Sequence, residues 1–471
     1  MTLPAKFVER VLRDLGGTEG AALCAALDAE PPVSVRLNPA KTGADTLPAG
    51  PDAGLPVPEA AGLPALAIAG RVPWSRDGRY LAVRPSFTLD PDFHAGAYYV
   101  QEASSQFVGH LLAAVRTEGA RILDLCAAPG GKTTLYASLA GPDGLVVANE
   151  IDRRRASVLA DNVRKWGTGN VAVTTCEPRA LGDFEAWFDV VAVDAPCSGE
   201  GMFRKDPDAR GEWSEGNVKQ CAARQDEILR EAWRALRPGG TLVYSTCTFN
   251  RDEDEGALER MAAWAGDEIA ESEETAVEDA WGIVCGRVGA FRTFRFYPHR
   301  TCGEGFFAAV ARKSFDAGGR VRAPKARRTV FAAVDRKTAG ELARWVRNPG
   351  GMHFAAVADT CYAWYAAQAD AVRTLSEALP VIYSGVALGQ VFKGVLKPDP
   401  ALAFFDGLNR GALHAAELDD EETLRFLRRQ DIAAGGLAEG MNLVCSRGRA
   451  LGFAKRIGAR VNNLYPNSLR I

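Results

Sequence analysis

The sequence has few histidines and no closely spaced pair of cysteines. Among its 471 residues there are five histidines, and none of the ten cysteines is followed by another three positions later. Paired-cysteine zinc sites are therefore not expected, and we expect no bound metal. Cysteines scattered through a chain of this length also argue against a disulfide scaffold. We expect free thiols in a reducing cytoplasm.

Long apolar runs are absent as well. No stretch approaches the ~18 residues of a membrane span, and the N-terminus lacks the apolar segment of a secretory signal. A hydrophobic fraction of 47% is ordinary for a folded protein with sizeable cores. The formal net charge of −3 excludes a surface that is basic throughout, although local basic patches are compatible with it. We expect a cytoplasmic monomer without membrane contact.

Short apolar runs alternate with amphipathic segments between residues 121 and 246. The runs RILDL, LVVAN, VAVTT, DVVAVDAP and TLVYST are typical of buried strands, and the segments between them are typical of helices. This alternation predicts an α/β fold built from βαβ units around a mostly parallel sheet. We further expect GEGFFAAVARK (303–313) to add an edge strand. The helix QDEILREAWRALRPGG is expected to stop at its two glycines.

The flanking regions differ in composition from this core. Prolines at positions 48, 51, 56, 58 and 64 predict irregular structure in the N-terminal part. Residues 312–328 carry seven basic residues and one acid, which predicts an exposed linker. The last 26 residues carry six basic residues and no acid. Because Phe453 and Tyr465 are interleaved with those charges, this tail is the best basic patch for RNA in the chain.

The loop DLCAAPGGKTT (124–134) follows the first buried strand and begins a helix. Such a junction lets the backbone approach a ligand and offers free N–H groups. A Walker A loop needs glycine where Cys126 stands, and Pro129 removes a backbone donor. The G-x-G-x-x-G fingerprint is also absent. The remaining α/β cofactor is S-adenosylmethionine (SAM).

Acidic residues follow the next three strands. Glu150 is placed to hold the ribose hydroxyls, Glu177 to meet the adenine edge, and Asp194 ends the fourth strand. The carboxyl ends of parallel strands meet at one edge of an open sheet, where ligands bind. Any one of these acids alone could equally be a helix cap or a solvated loop residue. Because all of them stand at the carboxyl ends of neighbouring parallel strands, together they favour a cofactor site.

Two cysteines stand at adjacent strand ends. Cys197 follows the fourth strand and Cys247 follows the fifth. Carbon C5 of cytosine is a poor nucleophile, but a thiolate that adds to C6 turns C5 into an enamine carbon able to accept a methyl group. A second thiol can assist release, and Asp194 can hold N3 and the exocyclic amine. Lys205 is either a contact to the base or phosphate or a solvated lysine.

These motifs resemble the Nol/Nop/Sun family of RNA cytosine-5 methyltransferases. The resemblance runs through DLCAAPGGKTT, NEIDRRR, DAPCSGEGMFRKDP and LRPGGTLVYSTCTF, with the dual-cysteine pair P-C-S-G and S-T-C-T as its most specific part. It implies that Cys247 is the nucleophile and that Cys197 assists product release. It also implies a SAM site formed by Cys126, Ala127, Ala128, Pro129, Gly130, Gly131, Lys132, Glu150, Glu177 and Asp194.

The chain is most similar to the bacterial RsmF-type subgroup, which methylates cytosine in the decoding region of 16S rRNA. The implied partner is 16S rRNA or the assembled small subunit. The implied architecture is a Rossmann-like methyltransferase core at 96–313, with an N-terminal RNA-binding domain at 1–95. A basic linker (314–328), an intermediate α+β domain (329–408) and a PUA-like RNA-binding domain (409–471) would follow.

Two departures and three alternatives accompany this resemblance. The acid after the third strand is Glu177, where the family usually has Asp. The second departure is the run Asp252–Glu255, which we expect to cap a helix rather than take part in chemistry.

The same chemistry on transfer RNA or 23S rRNA fits the core motifs equally well. A non-catalytic RNA-binding assembly factor is a second alternative. A cysteine hydrolase is a third, weakened by the absence of a histidine near either thiol in sequence.

Overall fold

The computed structural model describes residues 2–43 and 63–471. The prolines at positions 48, 51, 56 and 58 lie outside these described residues, and Pro64 lies in a turn. Across the described ranges, no helix has both the length and the apolar character to cross a membrane.

The strands are numbered in chain order. They are β1 Val33–Leu37, β2 Ile68–Arg71, β3 Gly78–Leu81, β4 Tyr98–Val100, β5 Arg121–Asp124, β6 Leu145–Asn149, β7 Val171–Thr174, β8 Phe188–Asp194, β9 Leu236–Thr246, β10 Ile269–Ala270, β11 Val284–Val288, β12 Phe291–Phe296, β13 Phe306–Lys313, β14 Ala332–Ala333, β15 Met352–Val357, β16 Thr360–Tyr365, β17 Val381–Ser384, β18 Val386–Phe392, β19 Val395–Pro398, β20 His414–Glu417, β21 Gly440–Ser446, β22 Arg449–Ile457 and β23 Arg460–Asn463.

The α-helices are numbered in the same way. They are α1 Ala5–Leu15, α2 Gly17–Ala26, α3 Pro39–Thr42, α4 Pro91–His94, α5 Phe107–Ala113, α6 Gly131–Ala140, α7 Arg153–Trp166, α8 Pro178–Gly182, α9 Pro207–Glu212, α10 Glu215–Ala235, α11 Glu255–Ala265, α12 Arg336–Ala343, α13 Ala369–Ala378, α14 Pro400–Phe404 and α15 Asp420–Leu427.

A mixed sheet forms the centre of the molecule. Its strand order is β11-β12-β13-β9-β8-β5-β6-β7-β17, with β10 paired to β13. The five strands predicted from the apolar runs are adjacent and parallel, in the order β7-β6-β5-β8-β9. The strand order reverses at β5, and ligands bind in open α/β sheets at the carboxyl edge of such a switch point. The α/β prediction is confirmed, and the loop after β5 lies at that point.

Apolar side chains fill both faces of this sheet. Helices α6 and α7 contribute Leu135, Tyr136 and Leu159 to one face. Helices α10 and α11 contribute Leu229 and Met261 to the other. The strands of the parallel part are apolar on both sides, which is why they appear in the sequence as continuous runs without alternation.

Two sequence-based expectations about this sheet are wrong. Strand β13 is internal, because β9 pairs with one of its edges and β12 with the other, both antiparallel. Helix α10 ends at Ala235 rather than at the glycines, and residues 236–240 already belong to β9. Pro238 accounts for this early stop, since its ring and the restriction on the residue before it both disfavour helix.

Three smaller sheets flank the centre. The N-terminal sheet has the order β2-β3-β1-β4, and the two C-terminal sheets have the orders β14-β15-β16-β18-β19 and β20-β21-β22-β23. Strand β17 leaves the C-terminal part and pairs antiparallel with β7 of the central sheet. Residues 314–331 form neither helix nor strand, and most are exposed; the assignment of 314–328 as a linker between domains stays a prediction.

The C-terminal tail does not present its aromatic residues to solvent. Phe453 and Tyr465 are buried in apolar clusters, so the expectation of an aromatic and basic RNA surface is wrong for them. Arg447 and Arg449 are paired with Asp92 at 2.9 Å and 2.8 Å. These two basic residues join the tail to the N-terminal region instead of facing a nucleic acid. Residues 451–454 of β22 are all buried, so Phe453 lies in the stretch of this strand that is covered on both faces.

Candidate active site

The loop between β5 and α6 is shaped by two residues. Gly130 adopts φ +111°, a conformation that favours glycine, and it precedes the first turn of α6. Asp124 ends β5, and its Oδ2 accepts a hydrogen bond from Thr133 Oγ1 at 2.6 Å. Burial raises the pKa of Asp124 to about 7. The loop therefore presents the N-terminal N–H groups of α6 beside a buried carboxyl group.

This loop forms one wall of a cleft, and the segment around β4 forms the opposite wall. The cleft is lined by Tyr99, Val100, Gln101, Glu102, Ser105, Asp124, Cys126, Ala127, Ala128, Pro129, Gly131, Lys132 and Asp194. Most residues of the predicted SAM site are thus brought together. Gly130 shapes the loop without lining the cleft.

The polar atoms of the cleft fit the amino-acid end of SAM. Asp124 Oδ1 and Gln101 Nε2 are buried, line the cleft and have no hydrogen-bond partner among the described residues. One is an acceptor and the other a donor, which matches an ammonium group and a carboxylate. Buried polar atoms in a folded protein ordinarily have partners, so these two are open positions for a ligand. When bound, SAM supplies the methyl group.

Arg36 supports the cofactor loop and was missed by the sequence analysis. Its Nε donates to Gln101 Oε1 at 2.7 Å, and its Nη2 donates to Thr134 Oγ1 at 2.6 Å. The guanidinium lies 4.4 Å from the centre of the Trp166 ring. A single arginine inside the apolar strand VSVRL is the signal that could have revealed it, because such a charge needs buried partners.

Glu150 and Glu177, which were expected to line the cofactor site, are not among the residues that line the cleft in the described part of the chain. Glu150 is buried, its Oε1 accepts from the Asp152 N–H at 3.0 Å, and its Oε2 lies 3.2 Å from the Arg155 guanidinium. Glu177 is exposed at the start of α8. The contacts of both residues to ribose and adenine stay predictions.

Asp194 connects the cofactor loop to the fifth parallel strand. Lys132 Nζ lies 2.8 Å from Asp194 Oδ2, and Ser245 Oγ donates to Asp194 Oδ1 at 2.9 Å. Burial alone lowers the pKa of Lys132, but Asp194, together with Asp124 and Cys247, outweighs this effect and holds that pKa above its usual value. Lys132 is therefore a cation at neutral pH. With Asp194 it places an ammonium and a carboxylate in the floor of the cleft.

The two cysteines meet beside this ion pair. The distance from Cys197 Sγ to Cys247 Sγ is 3.3 Å, and both side chains are half-buried. The hydrogen bond with Cys247 is the largest of the effects that raise the pKa of Cys197 well above its usual value, and burial adds to it. Cys197 therefore keeps its proton at neutral pH. The sequence-based prediction that two strand-end thiols lie together is confirmed.

Lys205 stands apart from these groups. Its side chain is exposed on the turn after Cys197, and its backbone N–H donates to Met202 O at 2.9 Å. The neighbouring Arg204 is instead buried and paired with Glu304 at 3.0 Å. Among residues 2–43 and 63–471, the Lys205 ammonium makes no hydrogen bond or ion pair, and its role toward RNA stays a prediction.

The burial of Asp124 has a measurable consequence for stability. The pKa of this carboxyl is about 7 in the folded chain, well above the ~3.9 of an unfolded aspartate. Between these values the folded chain holds a proton that the unfolded chain has released, so stability falls as pH rises toward 7. Asp124→Asn removes this contribution.

We expect the Tm of wild type, relative to that of the Asp124→Asn variant, to decline as the buffer is changed from pH 5 to pH 8. Thermal melts of both proteins across this range measure the difference, and the other buried carboxylates cancel because both proteins contain them. Parallel Tm curves would show that Asp124 does not titrate in this interval.

Comparison with known proteins identifies the chain's relatives. A model of the N-terminal domain of 16S rRNA methyltransferase RsmF matches residues 3–103, one of 16S rRNA methyltransferase RsmB/F matches residues 111–312, and one of the methyltransferase RsmF PUA domain matches residues 414–471. These matches and the cleft agree on a SAM-dependent enzyme.

Individual relatives extend along most of the chain. The ribosomal RNA small subunit methyltransferase F of Shewanella loihica is 31% identical over 84% of this chain and 83% of its own length. The Escherichia coli O127:H6 protein of the same name is 33% identical over 84% of each chain. A methyltransferase homologue from Pyrococcus horikoshii shares the fold with a TM-score of 0.52 and 26% identity, over 66% of this chain and all of that one.

The resemblance inferred from the motifs is confirmed by these matches. Methyl transfer to RNA is the activity of such enzymes, and SAM is the cofactor. The chain belongs to the family of ribosomal RNA small subunit methyltransferase F.

Proposed function

We propose that this enzyme methylates C5 of a cytosine in 16S rRNA through a covalent bond between Cys247 and C6 of that base. The observation that carries the proposal is the 3.3 Å approach of the Cys197 and Cys247 sulfurs beside the Asp194–Lys132 pair. A methyltransferase that acts on nitrogen or oxygen has no need of two adjacent thiols beside its cofactor cleft. A C5 enzyme needs one thiol to attack and benefits from a second at release.

The two thiols have different roles in this proposal. The hydrogen bond with Cys247 and burial raise the pKa of Cys197, which favours its protonated form. The resemblance to RNA cytosine-5 methyltransferases makes Cys247 the nucleophile that adds to C6, so that C5 takes the methyl group. Water then takes the C5 proton, the electrons of that C–H bond restore the C5–C6 double bond, and the Cys247–C6 bond breaks to release Cys247 as a thiolate that Cys197 can protonate. Cys197, in contact with Cys247, assists this release.

The floor of the cleft suits a cytosine flipped out of the RNA. Asp194 is a charged acceptor whose position is fixed by Lys132 and Ser245. Such a carboxylate can accept a hydrogen bond from the exocyclic amine and stabilise a protonated N3 while charge develops on the ring. Unstacking the target base costs a few kcal/mol, which contacts to the RNA backbone must offset.

The choice of 16S rRNA rests on the family models described as 16S rRNA methyltransferase and on the Shewanella loihica and Escherichia coli relatives, whose names specify the small subunit. Residues 1–95 and 409–471 would then make the RNA contacts outside the core. In the tail, Lys455, Arg460 and Arg470 remain exposed for this purpose. Transfer RNA, 23S rRNA and a non-catalytic assembly role are the competing possibilities.

A methyl-transfer panel tests the proposal. Labelled SAM is offered with assembled small subunits, naked 16S rRNA, 23S rRNA and bulk tRNA, and the digested RNA is analysed for modified nucleosides. We expect label as 5-methylcytosine in 16S rRNA or its subunit. Label as 5-methylcytosine only in another RNA would overturn the substrate and leave the chemistry intact. Label in a different nucleoside would overturn the chemistry.

A further inference from the structure

Two buried glutamates connect the loops that carry the cysteines, and each lies on one loop while binding the other. Glu200 follows Cys197 by three residues, and Glu253 follows Cys247 by six. Both side chains are fully buried. We call Glu200 and Glu253 the carboxylate brace.

Glu253 binds the residue that directly follows Cys197. Its Oε2 accepts from the Ser198 N–H at 2.8 Å, and its Oε1 accepts from Ser198 Oγ at 2.5 Å. Ser198 Oγ also lies 3.0 Å from Thr248 Oγ1, on the residue after Cys247. One carboxylate thus gathers donors from the positions next to both thiols.

Glu200 lies on the Cys197 loop and binds the Cys247 loop. Its Oε2 accepts from the N–H of Phe249, two residues after Cys247, at 3.2 Å. Its Oε1 accepts from Trp213 Nε1 at 2.9 Å, and its Oε2 forms an ion pair with Arg10 at 2.6 Å. Arg10 belongs to α1, so the N-terminal region reaches the cysteine loops through this carboxylate.

A backbone contact completes the connection. The N–H of Gly201, next to Glu200, donates to Cys247 O at 2.8 Å. A Cβ atom built at Gly201 would lie 2.9 Å from that same carbonyl oxygen, so only glycine permits this approach. The two loops are therefore held in a single relative position from both sides.

Burial of a carboxylate costs free energy, and the surroundings of Glu253 show this cost. Among the described residues, only neutral groups donate hydrogen bonds to Glu253, and burial raises its pKa to about 7. A folded protein retains a buried charge of this kind where its hydrogen bonds specify a geometry that apolar packing would not.

Helix capping does not account for the brace. Helix α11 begins at Glu255, and its N-cap Asp254 makes no capping hydrogen bond with its side chain. Asp254 instead accepts from Thr246 Oγ1 at 2.6 Å and pairs with Arg295 at 2.9 Å. The expectation that the acidic run caps a helix is therefore wrong for Glu253 and Asp254, whose side chains are buried in the protein.

We propose that Glu253, together with Glu200, is a positioning residue that holds the Cys197 sulfur against the Cys247 sulfur. The catalytic part of this inference rests on the proposed function, since it matters for turnover only if both thiols take part. The geometric part does not depend on it. By analogy with the outer-shell partners that orient metal ligands, whose loss costs about 10- to 100-fold in activity, we expect an effect of that order here.

The distance between the thiols can be measured without any methyl transfer. The diazene oxidant diamide takes up two protons and two electrons from a pair of neighbouring thiols and leaves a disulfide. Peptide mass spectrometry then follows the linked Cys197–Cys247 peptide over time in the full-length protein. We expect rapid linkage in wild type and a rate at least about tenfold lower in Glu253→Gln, whose amide offers one acceptor oxygen where Ser198 N–H and Oγ now use two.

Two further variants complete the experiment. Ser198→Ala removes one donor and keeps the carboxylate, so it gives a smaller loss if Glu253→Gln does not fold. Glu255→Gln is the matched control, because Glu255 lies in the same acidic run and binds Arg295 rather than a cysteine loop. We expect it to form the disulfide at the wild-type rate.

Activity provides the second measurement. Loss of positioning lowers kcat and leaves the KM values for SAM and RNA near those of wild type. Wild-type linkage in Glu253→Gln, or equal slowing in Glu255→Gln, would overturn the brace. Slower linkage specific to Glu253→Gln, in an enzyme whose product is not 5-methylcytosine, would leave the brace standing while the proposed chemistry fails.

Discussion

Replacement of Cys247 by alanine abolishes methyl transfer, and we expect the loss to be at least about 10⁴-fold. Without a thiolate at C6, the C5 carbon of cytosine cannot accept the methyl group at a useful rate. SAM binding persists, because Cys247 is not among the residues that line the cofactor cleft. Filter binding of labelled SAM and methyl transfer to the RNA identified by the panel measure the two properties separately.

Cys221→Ala is a suitable control for this experiment. Cys221 is a half-buried free thiol on α10, and it is none of the residues assigned to the site. We expect it to retain wild-type turnover. Measurable turnover by the Cys247 variant, with intact SAM binding in both proteins, would remove the nucleophile assignment.

Replacement of Cys197 by alanine gives a different result. Attack by Cys247 and methylation proceed, but release of the product stalls because the thiol next to the leaving sulfur is missing. A covalent protein–RNA adduct then accumulates, and we expect it to be the dominant RNA-bound species on a denaturing gel. Wild type and the double variant, which lacks both thiols, serve as references without a stable adduct.

The opposite pattern would be equally informative. An adduct that accumulates with the Cys247 variant, and not with the Cys197 variant, would assign nucleophilic attack to Cys197. The roles of the two thiols would then be reversed. Absence of an adduct from both single variants would contradict a release role for either thiol.

The parallel centre of the fold was predictable because its strands are buried on both faces. Continuous apolar runs such as LVVAN separate cleanly from the polar helices between them. The position of β13 was not predictable in the same way. Its apolar run is equally compatible with an edge or an interior, and only the neighbouring strand β12 covers its second side.

The cofactor loop and the two thiols were also predictable, since their residues follow consecutive strands. Parallel strands bring such positions to one edge without any knowledge of side-chain contacts. Arg36 and Gln101 could not be found this way. They reach the cofactor loop from the N-terminal sheet, and their contribution depends on how two separately formed sheets pack together.

The acidic run illustrates why charge alone does not reveal a role. Four consecutive acids before a helix favour capping or solvent. In the structure Glu253 and Asp254 are fully buried, while Asp252 is exposed. Their orientation depends on donors from Ser198 and Arg295, which are far away in sequence. Only the tertiary structure distinguishes the buried Glu253 and Asp254 from the exposed Asp252.

Strand β17 gives the catalytic sheet its outer boundary. It comes from the C-terminal part of the chain and pairs with β7, whose other side is occupied by β6. A fragment that ended near residue 313 would leave the backbone N–H and C=O groups of β7 open to pairing with another molecule, which is a common route to aggregation. The C-terminal part therefore protects the catalytic sheet from self-association, and the enzyme is not a series of modules that can be exchanged freely.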